Sequence, residues 1–172
     1  YISEKYKRII RSWLIYKDKN YIAINKPSGI AVQGGTKVKI NVDGILEGLR
    51  FSAKEKPKLI HRLDKQTSGI LILARSLKSA AFAGNLFKNK KIKKTYLEVL
   101  YGKILESKGK INIPIINKDK ESDATTLYET LCTSKNLSLV KINPLTGRKH
   151  QIRKHFFLKG MPILGETKFI KS

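Results

Sequence analysis

The sequence predicts an α+β fold with a mixed, largely antiparallel sheet and flanking helices. Several short segments alternate apolar with polar residues, which is the period of a strand that has one buried face. Only two segments have apolar residues at the spacing of an amphipathic helix. The strand and helix segments do not alternate regularly, so a parallel sheet built from βαβ units is not expected.

The first part of the chain is predicted to form strands joined by turns. Residues 21–24 are β-favouring, and residues 25–29, Asn-Lys-Pro-Ser-Gly, follow as a turn. Pro fixes φ and Gly allows a positive φ, which suits both residue types to turns. Gly34 and Gly35 are interpreted as a loop, because no nucleotide-binding fingerprint surrounds them. The aliphatic residues 70–74 predict a further strand.

Two helices are predicted further along the chain. The first follows Ser76, as N-cap, and continues to about Asn89, because its apolar residues recur at helical spacing. The second extends from about Lys149 to Leu158 and ends before Gly160. Glycine is the residue type that most readily adopts the left-handed conformation found just after a helix.

Most of the remaining strands are predicted between these two helices. In residues 94–101 the alternation places Tyr96, Glu98 and Leu100 on one face. The polar residues 117–123 predict a loop. Further strand candidates are residues 110–114, 124–131 and 137–142.

The charge of the chain predicts a polyanionic partner. Its 172 residues include 36 Lys and Arg against 13 Asp and Glu, which gives a formal charge of +23. Such a charge repels itself unless a polyanion neutralises it, so nucleic acid is the first candidate partner and an anionic membrane surface the second. A soluble, Lys-rich protein with no such partner is the less favoured interpretation of composition alone.

Other features exclude some classes of protein. The chain has 41% hydrophobic residues, enough for the core of one domain. No apolar run approaches the length of a membrane span, so no segment that crosses a membrane is predicted. Nucleic acid, and not a membrane, is the predicted partner. Cys132 is the one cysteine, which excludes a disulfide framework and suits a reducing compartment. The expected location is therefore the cytoplasm.

Residues 61–74 carry the most informative pattern, His-Arg-Leu-Asp followed by Thr-Ser-Gly and a run of aliphatic residues. Asp64 stands directly before the turn, in a chain that is otherwise rich in cations. Its carboxylate either forms an Asx-turn with the backbone near residues 65–67 or is a positioned group that performs chemistry. The residues alone leave both interpretations open.

Two other segments are ambiguous when taken singly. Residues 146–155, Thr-Gly-Arg-Lys-His-Gln-Ile-Arg-Lys-His, are most simply a basic turn and helix that face solvent. Tyr96 lies in a predicted strand, where a tyrosine usually belongs to the core or to the surface of the sheet. Neither segment assigns a chemical role without its context.

Together and in this order, residues 61–74, Lys94-Thr95-Tyr96 and residues 146–155 resemble the motifs of the RluA-type RNA pseudouridine synthases. Residues 25–29 match a further landmark of that family. The most similar branch is the RluC-like one, whose members modify large-subunit ribosomal RNA. The segments that resemble this branch are residues 33–35 and 46–50.

The resemblance implies the pseudouridine synthase catalytic fold and an isomerase that converts uridine to pseudouridine in 23S ribosomal RNA. The reaction involves no redox step and no phosphate transfer, so no cofactor is expected. RNA is the expected partner, and the enzyme is expected to be a monomer.

The resemblance also implies roles for individual residues. Asp64 is the catalytic carboxylate that acts at the ribose, and Arg153 pairs with it. Tyr96 stacks on the flipped uracil. Arg62 enters the space that the uridine leaves. The other residues expected to bind RNA are His61, Lys94, Arg148 and His150.

The family pattern divides the chain and shows some departures. Residues 1–13 are interpreted as a basic linker or the tail of a missing N-terminal RNA-binding domain, and residues 14–172 as the catalytic domain. That domain is expected to be incomplete at its C-terminus, because the family continues with a Leu-His-Ala type segment. Lys149 stands where the family usually has Thr.

Two other classes of protein remain as alternatives. A non-catalytic RNA-binding or ribosome-assembly protein would use the same fold and charge, although it has no need of a carboxylate among its phosphate contacts. A DNA-binding protein would be expected to carry a helix-turn-helix or zinc module, which the sequence lacks. No metal site is predicted, because the three histidines and Cys132 do not have the spacing of metal ligands.

Overall fold

The computed structural model describes residues 2–34, 40–117 and 120–169. The chain forms two compact units, Tyr1–Lys91 and Ile92–Ser172. The described strands form three sheets, two with four strands and one with two. Every pair of named strands is antiparallel, and the parallel element is an isolated bridge between Ala31 and Asn41. The predicted α+β class is confirmed, but the single expected sheet is replaced by three.

The sheet of the first unit has the order β1-β2-β4-β3. Its strands are β1 Leu14–Lys17, β2 Tyr21–Lys26, β3 Lys58–Leu59 and β4 Gly69–Ala74. The central strands β2 and β4 bury aliphatic side chains on the core face, namely Ile22, Ile24, Leu71 and Leu73. Their register pairs Lys26 with Gly69, so the turn after β2 lies beside the turn before β4. This pairing positions the Asp64 motif.

The helices of the first unit pack on this sheet or on one another. They are α1 Glu4–Ser12, α2 Val42–Ile45 and α3 Leu77–Lys88, with a 3₁₀ helix at Leu46–Leu49. The predicted N-cap of α3 is confirmed, since Ser76 Oγ accepts a hydrogen bond from Ser79 N at 3.1 Å. The short α2 was not predicted, because four residues are too few to show a helical period.

Residues 4–12, within the segment interpreted as a linker, form α1. Ile10 is fully buried, and the Nε atom of Arg11 donates to Gly48 O at 2.8 Å. A Cβ atom at Gly48 would lie 2.8 Å from Ile10 Cγ2 and 3.1 Å from Lys7 Cα. The glycine therefore allows the 3₁₀ helix to approach α1 closely.

The second unit has a four-stranded sheet in the order β5-β10-β9-β6. Its elements are β5 Tyr96–Tyr101, β6 Lys108–Asn112, β7 Ile115–Asn117, β8 Lys120–Ser122, β9 Thr125–Thr133, β10 Leu137–Pro144 and α4 Gln151–Leu158. Helix α4 contributes Phe156 to a core that also contains Leu100, Val140 and Ile142 from the sheet. This packing fixes α4, which carries Arg153, on the unit that contains Tyr96.

Two predictions for the second unit were wrong in detail. Residues 117–123 were expected to be a loop, but the two-stranded sheet pairs β7 with β8. The alternation was hidden because β8 consists of Lys-Glu-Ser, which has no apolar residue. Helix α4 begins at Gln151 rather than Lys149, because His150 adopts the left-handed conformation with φ 56°. The predicted glycine after the helix is confirmed, with Gly160 at φ 76°.

Two remaining expectations concern other parts of the chain. Gly34 lies in irregular backbone, while Gly35 of the same predicted loop falls outside the described residues. Among the helices of the described residues, none combines the length and the apolar character that crossing a membrane requires.

Candidate active site

Asp64 lies on a tight turn immediately before β4. The amide of Thr67 donates to Asp64 O at 3.1 Å, which closes the turn through the backbone. Leu63, just before the aspartate, is buried with 6% of its surface exposed, whereas Arg62 is exposed. Gly69 at the start of the strand has φ 119°, a value that side chains disfavour. The motif therefore leads from a buried leucine through a partly buried aspartate into a central strand.

The turn after β2 holds this aspartate turn in place. The amide of Gly29 donates to Lys65 O at 2.8 Å, and Ser28 Oγ donates to Gln66 O at 2.7 Å. Both acceptors belong to residues that directly follow Asp64. Hydrogen bonds on two consecutive carbonyl groups restrict the backbone at Asp64 more than one contact would. Residues 25–29 thus contact the motif directly and form a scaffold for it.

Lys26 is the residue of this scaffold that sequence reasoning missed. It is fully buried, and its Nζ donates to Pro27 O and Ile30 O at 2.8 Å each and to Lys65 O at 3.3 Å. Burial lowers the pKa of the ammonium group, while the charge of Asp64 opposes that shift. The sequence signal for this role is the position of Lys26 in β2, where it continues the alternation that places Ile22 and Ile24 on the buried face.

His61 has structural contacts at the start of the same motif. Its Nε2 accepts the amide proton of Ile72 at 2.9 Å. Its ring stacks on Phe87 of α3, with centroids 5.0 Å apart and planes inclined by 27°. Accepting at Nε2 requires that nitrogen to be unprotonated, so in this arrangement the imidazole is neutral. These contacts link residue 61 to β4 and α3.

Tyr96 begins β5 in the second unit, opposite Ile142 of β10. It is partly buried and packs against the hydrophobic core of that unit. As predicted, Glu98 and Leu100 share its inward face, and burial raises the pKa of Glu98 to about 7. Tyr96 is thus positioned by a regular strand at the edge of a packed core.

Lys94 and Thr95, which precede this strand, are hydrogen-bonded to the end of β10 and to the turn that follows it. The side-chain amide of Asn143 donates to Lys94 O and to Thr95 Oγ1, each at 2.9 Å. Lys94 Nζ donates to Thr146 O at 3.4 Å, and burial lowers the pKa of this ammonium group. The structure therefore brings Lys94-Thr95-Tyr96 next to the start of the basic motif, residues 146–155.

Gln151 organises the turn of the basic motif. Its side-chain oxygen accepts from Thr146 Oγ1 at 2.7 Å and from Arg148 N at 3.0 Å. Its side-chain nitrogen donates to Thr125 O and Thr126 Oγ1, each at 3.0 Å. Such a buried, fully paired amide fixes the turn onto β9. Sequence reasoning assigned no role to this glutamine.

His155, on the next turn of α4, is buried within the same network. Its Nε2 lies 2.9 Å from Ile113 O, and its Nδ1 lies 2.9 Å from Thr126 Oγ1. The carbonyl can only accept, so Nε2 carries the proton and the threonine hydroxyl donates to Nδ1. Burial lowers the pKa of His155, although the bond to Ile113 opposes this effect. The residue holds α4 on the sheet.

Arg148 and His150 lie on the turn that Gln151 organises. The Nε atom of Arg148 donates to Asp123 O at 3.0 Å, while its side chain remains exposed. His150 is partly buried, and its ring centroid lies 5.8 Å from that of Phe169. The two residues are thus presented by one fixed turn.

Arg153 forms a bidentate ion pair with Glu166. Its Nε and Nη2 atoms each donate to one carboxylate oxygen at 2.6 Å. The Glu166 side chain is 4% exposed, and the hydrogen bonds from Arg153 lower the pKa of its carboxyl group to about 2. Sequence reasoning did not single out Glu166, which follows Gly165 in an irregular segment without a helical or strand period.

The predicted site residues divide between the two units. Asp64, Arg62 and His61 belong to the first, together with Lys26. The residues in the second are Lys94, Tyr96, Arg148, His150 and Arg153. Within the described ranges, no three His, Cys, Asp or Glu residues form a group that could hold a metal ion.

The sequence matches the family model described as RNA pseudouridylate synthase over residues 20–157. That range includes Lys26, Asp64, Tyr96 and Arg153. It therefore covers the turn after β2, the aspartate turn and both motifs of the second unit.

Named relatives and a solved structure agree with this match. "Ribosomal large subunit pseudouridine synthase C" of Rickettsia conorii is 41% identical over 95% of this chain, and the Rickettsia bellii protein of that name is 42% identical. The chain spans 58% of the length of each. The structure of "Human RNA Pseudouridylate Synthase Domain Containing 4" superposes with a TM-score of 0.84 at 28% identity, covering 95% of this chain and 70% of that one. By motif, fold and sequence, this chain belongs to the RNA pseudouridylate synthase family.

Proposed function

We propose that this chain is the catalytic part of an enzyme that isomerises uridine to pseudouridine in 23S ribosomal RNA. One observation carries the proposal. Asp64 is held on a turn by Ser28, Gly29 and the buried Lys26, in a chain of the pseudouridylate synthase family. The Rickettsia relatives, named for the large ribosomal subunit, support this RNA as the substrate.

The reaction rearranges one nucleotide without adding or removing atoms. The bond between N1 of uracil and C1′ of ribose breaks, and a bond between C5 and C1′ forms. C5 loses a proton and N1 gains one, so the product is an isomer of the substrate. The Asp64 carboxylate has one of two roles. It either captures C1′ covalently or assists the loss of a proton at C2′. Neither route needs an oxidant, a reductant or a cofactor.

The remaining site residues have proposed roles in holding the carboxylate and the base. Arg153 keeps Asp64 ionised and oriented during the reaction. Tyr96 stacks on the uracil after it has left its helix, and Arg62 fills the space it leaves. Lys94, Arg148 and His150 are proposed to bind RNA next to the base. His61 is proposed to assist binding by fixing the backbone that presents Arg62, since its Nε2 is bonded to Ile72.

The enzyme is further proposed to act as a monomer in the cytoplasm. RNA is its proposed partner, and the formal charge of +23 supports strong attraction to phosphates. The same attraction would speed the encounter with ribosomal RNA.

The proposal is tested by mapping pseudouridines in 23S ribosomal RNA. RNA from cells with the full-length protein is compared with RNA from cells that lack it, and with RNA from cells complemented by an Asp64→Asn variant. We expect specific pseudouridines to be present with the unaltered protein and to be absent both without the protein and with the Asp64→Asn variant. An identical map in all three strains would contradict the proposed function.

A further inference from the structure

Arg153 lies in the first turn of α4, and a carboxylate pairs with one edge of its guanidinium. Glu166 accepts hydrogen bonds from Nε and from Nη2, each at 2.6 Å. Two parallel bonds between planar groups fix the guanidinium plane as well as its position. The direction of the Nη1 end is thereby also fixed.

The Glu166 carboxylate is itself held by its own loop. Its Oε1 also accepts from the amides of Thr167 at 3.0 Å, Lys168 at 2.8 Å and Phe169 at 3.3 Å. A surface ion pair leaves both side chains mobile and contributes little. Here the carboxylate is 4% exposed and is fixed by three backbone donors, so the loop determines where Arg153 points.

Phe169 contacts the face of the same guanidinium. The Cζ atom of Arg153 lies 5.1 Å from the centroid of the ring, within the range of a cation–π contact. The ring also lies near His150 and Phe157, with centroids 5.8 Å and 6.5 Å away. Arg153 is thus held at its edge by a carboxylate and at its face by an aromatic ring.

We propose that Glu166, together with Phe169, is a positioning residue that sets the direction of the Arg153 guanidinium for the isomerisation. The proposal rests on the proposed function, in which Arg153 acts on the Asp64 carboxylate. Glu166 does not touch the reacting nucleotide and acts through Arg153. An arginine free to rotate would orient the carboxylate less well, and misplacement of reacting groups lowers the rate of the chemical step.

The test uses Glu166→Gln in the full-length protein. The single-turnover rate of pseudouridine formation is measured with saturating 23S RNA fragment, and RNA affinity is measured separately by filter binding. Glutamine keeps the size of the side chain but removes its charge, and because its amide nitrogen cannot accept, one of the two hydrogen bonds from Arg153 is lost. We expect the rate to fall at least about tenfold, because the guanidinium loses one charge-assisted hydrogen bond and with it its fixed direction. The Kd for RNA is expected to remain unchanged.

A matched control is Glu129→Gln on β9. Glu129 is a half-buried glutamate of the same unit, and it pairs with Lys108 at 3.9 Å and Lys141 at 3.5 Å. The same chemical change there is expected to leave both rate and affinity at the level of the unaltered protein. This control distinguishes an effect that is specific to the position of Glu166 from an effect of losing one negative charge elsewhere in the unit.

A double-mutant cycle tests whether Glu166 acts through Arg153. In an Arg153→Lys background the bidentate contact is already lost, so Glu166→Gln is expected to lower the rate no further. Fully additive losses would overturn the proposal, and so would a Glu166→Gln enzyme with the normal rate. An inactive unaltered protein would instead overturn the proposed function itself.

Phe169→Leu covers the case in which Glu166→Gln fails to fold. Circular dichroism and thermal unfolding identify that case. Leucine keeps an apolar side chain and removes the ring face from Arg153, so a slower rate with unchanged RNA affinity is expected. A normal rate in Phe169→Leu would then contradict the positioning role.

Discussion

The Asp64 carboxylate shows how single residues prepare the site. Its turn is closed by Thr67, and the following carbonyl groups accept from Lys26, Ser28 and Gly29. These donors come from a segment far away in sequence, so they reach the aspartate turn only when β2 pairs with β4. Folding of the sheet and positioning of the carboxylate are therefore coupled.

The first prediction concerns Asp64→Asn. Asparagine preserves the size of the side chain but has no negative charge for attack on ribose or for proton transfer. We expect single-turnover pseudouridine formation to be abolished, while RNA affinity in filter binding changes little. Turnover close to that of the unaltered protein would contradict the catalytic role of Asp64.

Lys26→Met provides the second prediction. The variant keeps an apolar side chain of similar length but leaves the carbonyl groups of Pro27, Ile30 and Lys65 without their donor. We expect the free energy of unfolding to fall by roughly 2–3 kcal/mol, the cost of unpaired buried polar groups. Chemical denaturation measures this value, with the exposed Lys19→Met as control. Equal destabilisation by the two changes would show that Lys26 has no special role.

Tyr96 gives the third prediction. If its ring stacks on the uracil, Tyr96→Phe should bind RNA well, whereas Tyr96→Ala should lose ~1–3 kcal/mol of binding and most of its turnover. If its hydroxyl also assists removal of the C5 proton, the phenylalanine variant should bind RNA yet fail to release product. Single-turnover kinetics beside filter binding distinguishes these outcomes. Full activity of the alanine variant would leave Tyr96 as a residue of the sheet alone.

The secondary structure elements show what the sequence could predict. The strands β4, β5, β9 and β10 and the helix α3 were predicted because an aliphatic run, alternation or helical spacing is visible over several residues. The strands β7 and β8 were not, because their pairing depends on tertiary contacts and their residues show no period. Prediction and structure differ most for elements of four residues or fewer.

In the candidate site, too, local patterns identify some residues, whereas others depend on tertiary contacts. Asp64, Tyr96 and Arg153 stand in recognisable motifs, and the roles expected of them remain proposals. Lys26 and Glu166 act through contacts with backbone and with residues of other segments, which local patterns do not encode. A lysine on an inward strand position is the one signal that could have identified the first of them.

Helix α4 leads to a prediction about pH. Burial lowers the pKa of His155, so the neutral ring is favoured in the folded state. Its contribution to stability is complete above the unfolded value of about 6.5 and is lost as pH falls through the lower folded pKa. The difference in free energy of unfolding between the unaltered protein and His155→Leu should therefore shrink as pH falls below 6.5. A difference that stays constant between neutral and acidic pH would contradict a neutral, buried His155.

At the scale of the whole molecule, the excess of cations is the dominant property. Thirty-six Lys and Arg face 13 Asp and Glu, and several of the acids are already paired, including Glu166 with Arg153 and Glu129 with Lys141. Most of the positive charge is thus available to a polyanion. Under the proposed function, the family fold and this positive charge act together, because an enzyme that isomerises uridine within RNA must first bind the RNA backbone.

The last prediction follows from this charge. Each phosphate contact releases bound counterions, so the logarithm of the RNA affinity should fall linearly with the logarithm of salt concentration, by about 0.7–0.9 per contact. Arg148, exposed on the turn fixed by Gln151, is a proposed contact, and Arg148→Gln should reduce the slope by about one. Lys135→Gln, an exposed change in the turn between β9 and β10, removes the same charge and should leave the slope unaltered. The measurement is RNA binding at several salt concentrations for the three proteins. Equal slopes for both variants would mean that the overall charge attracts RNA without a contact at Arg148, and a flat salt dependence would mean that the charge does not engage RNA at all.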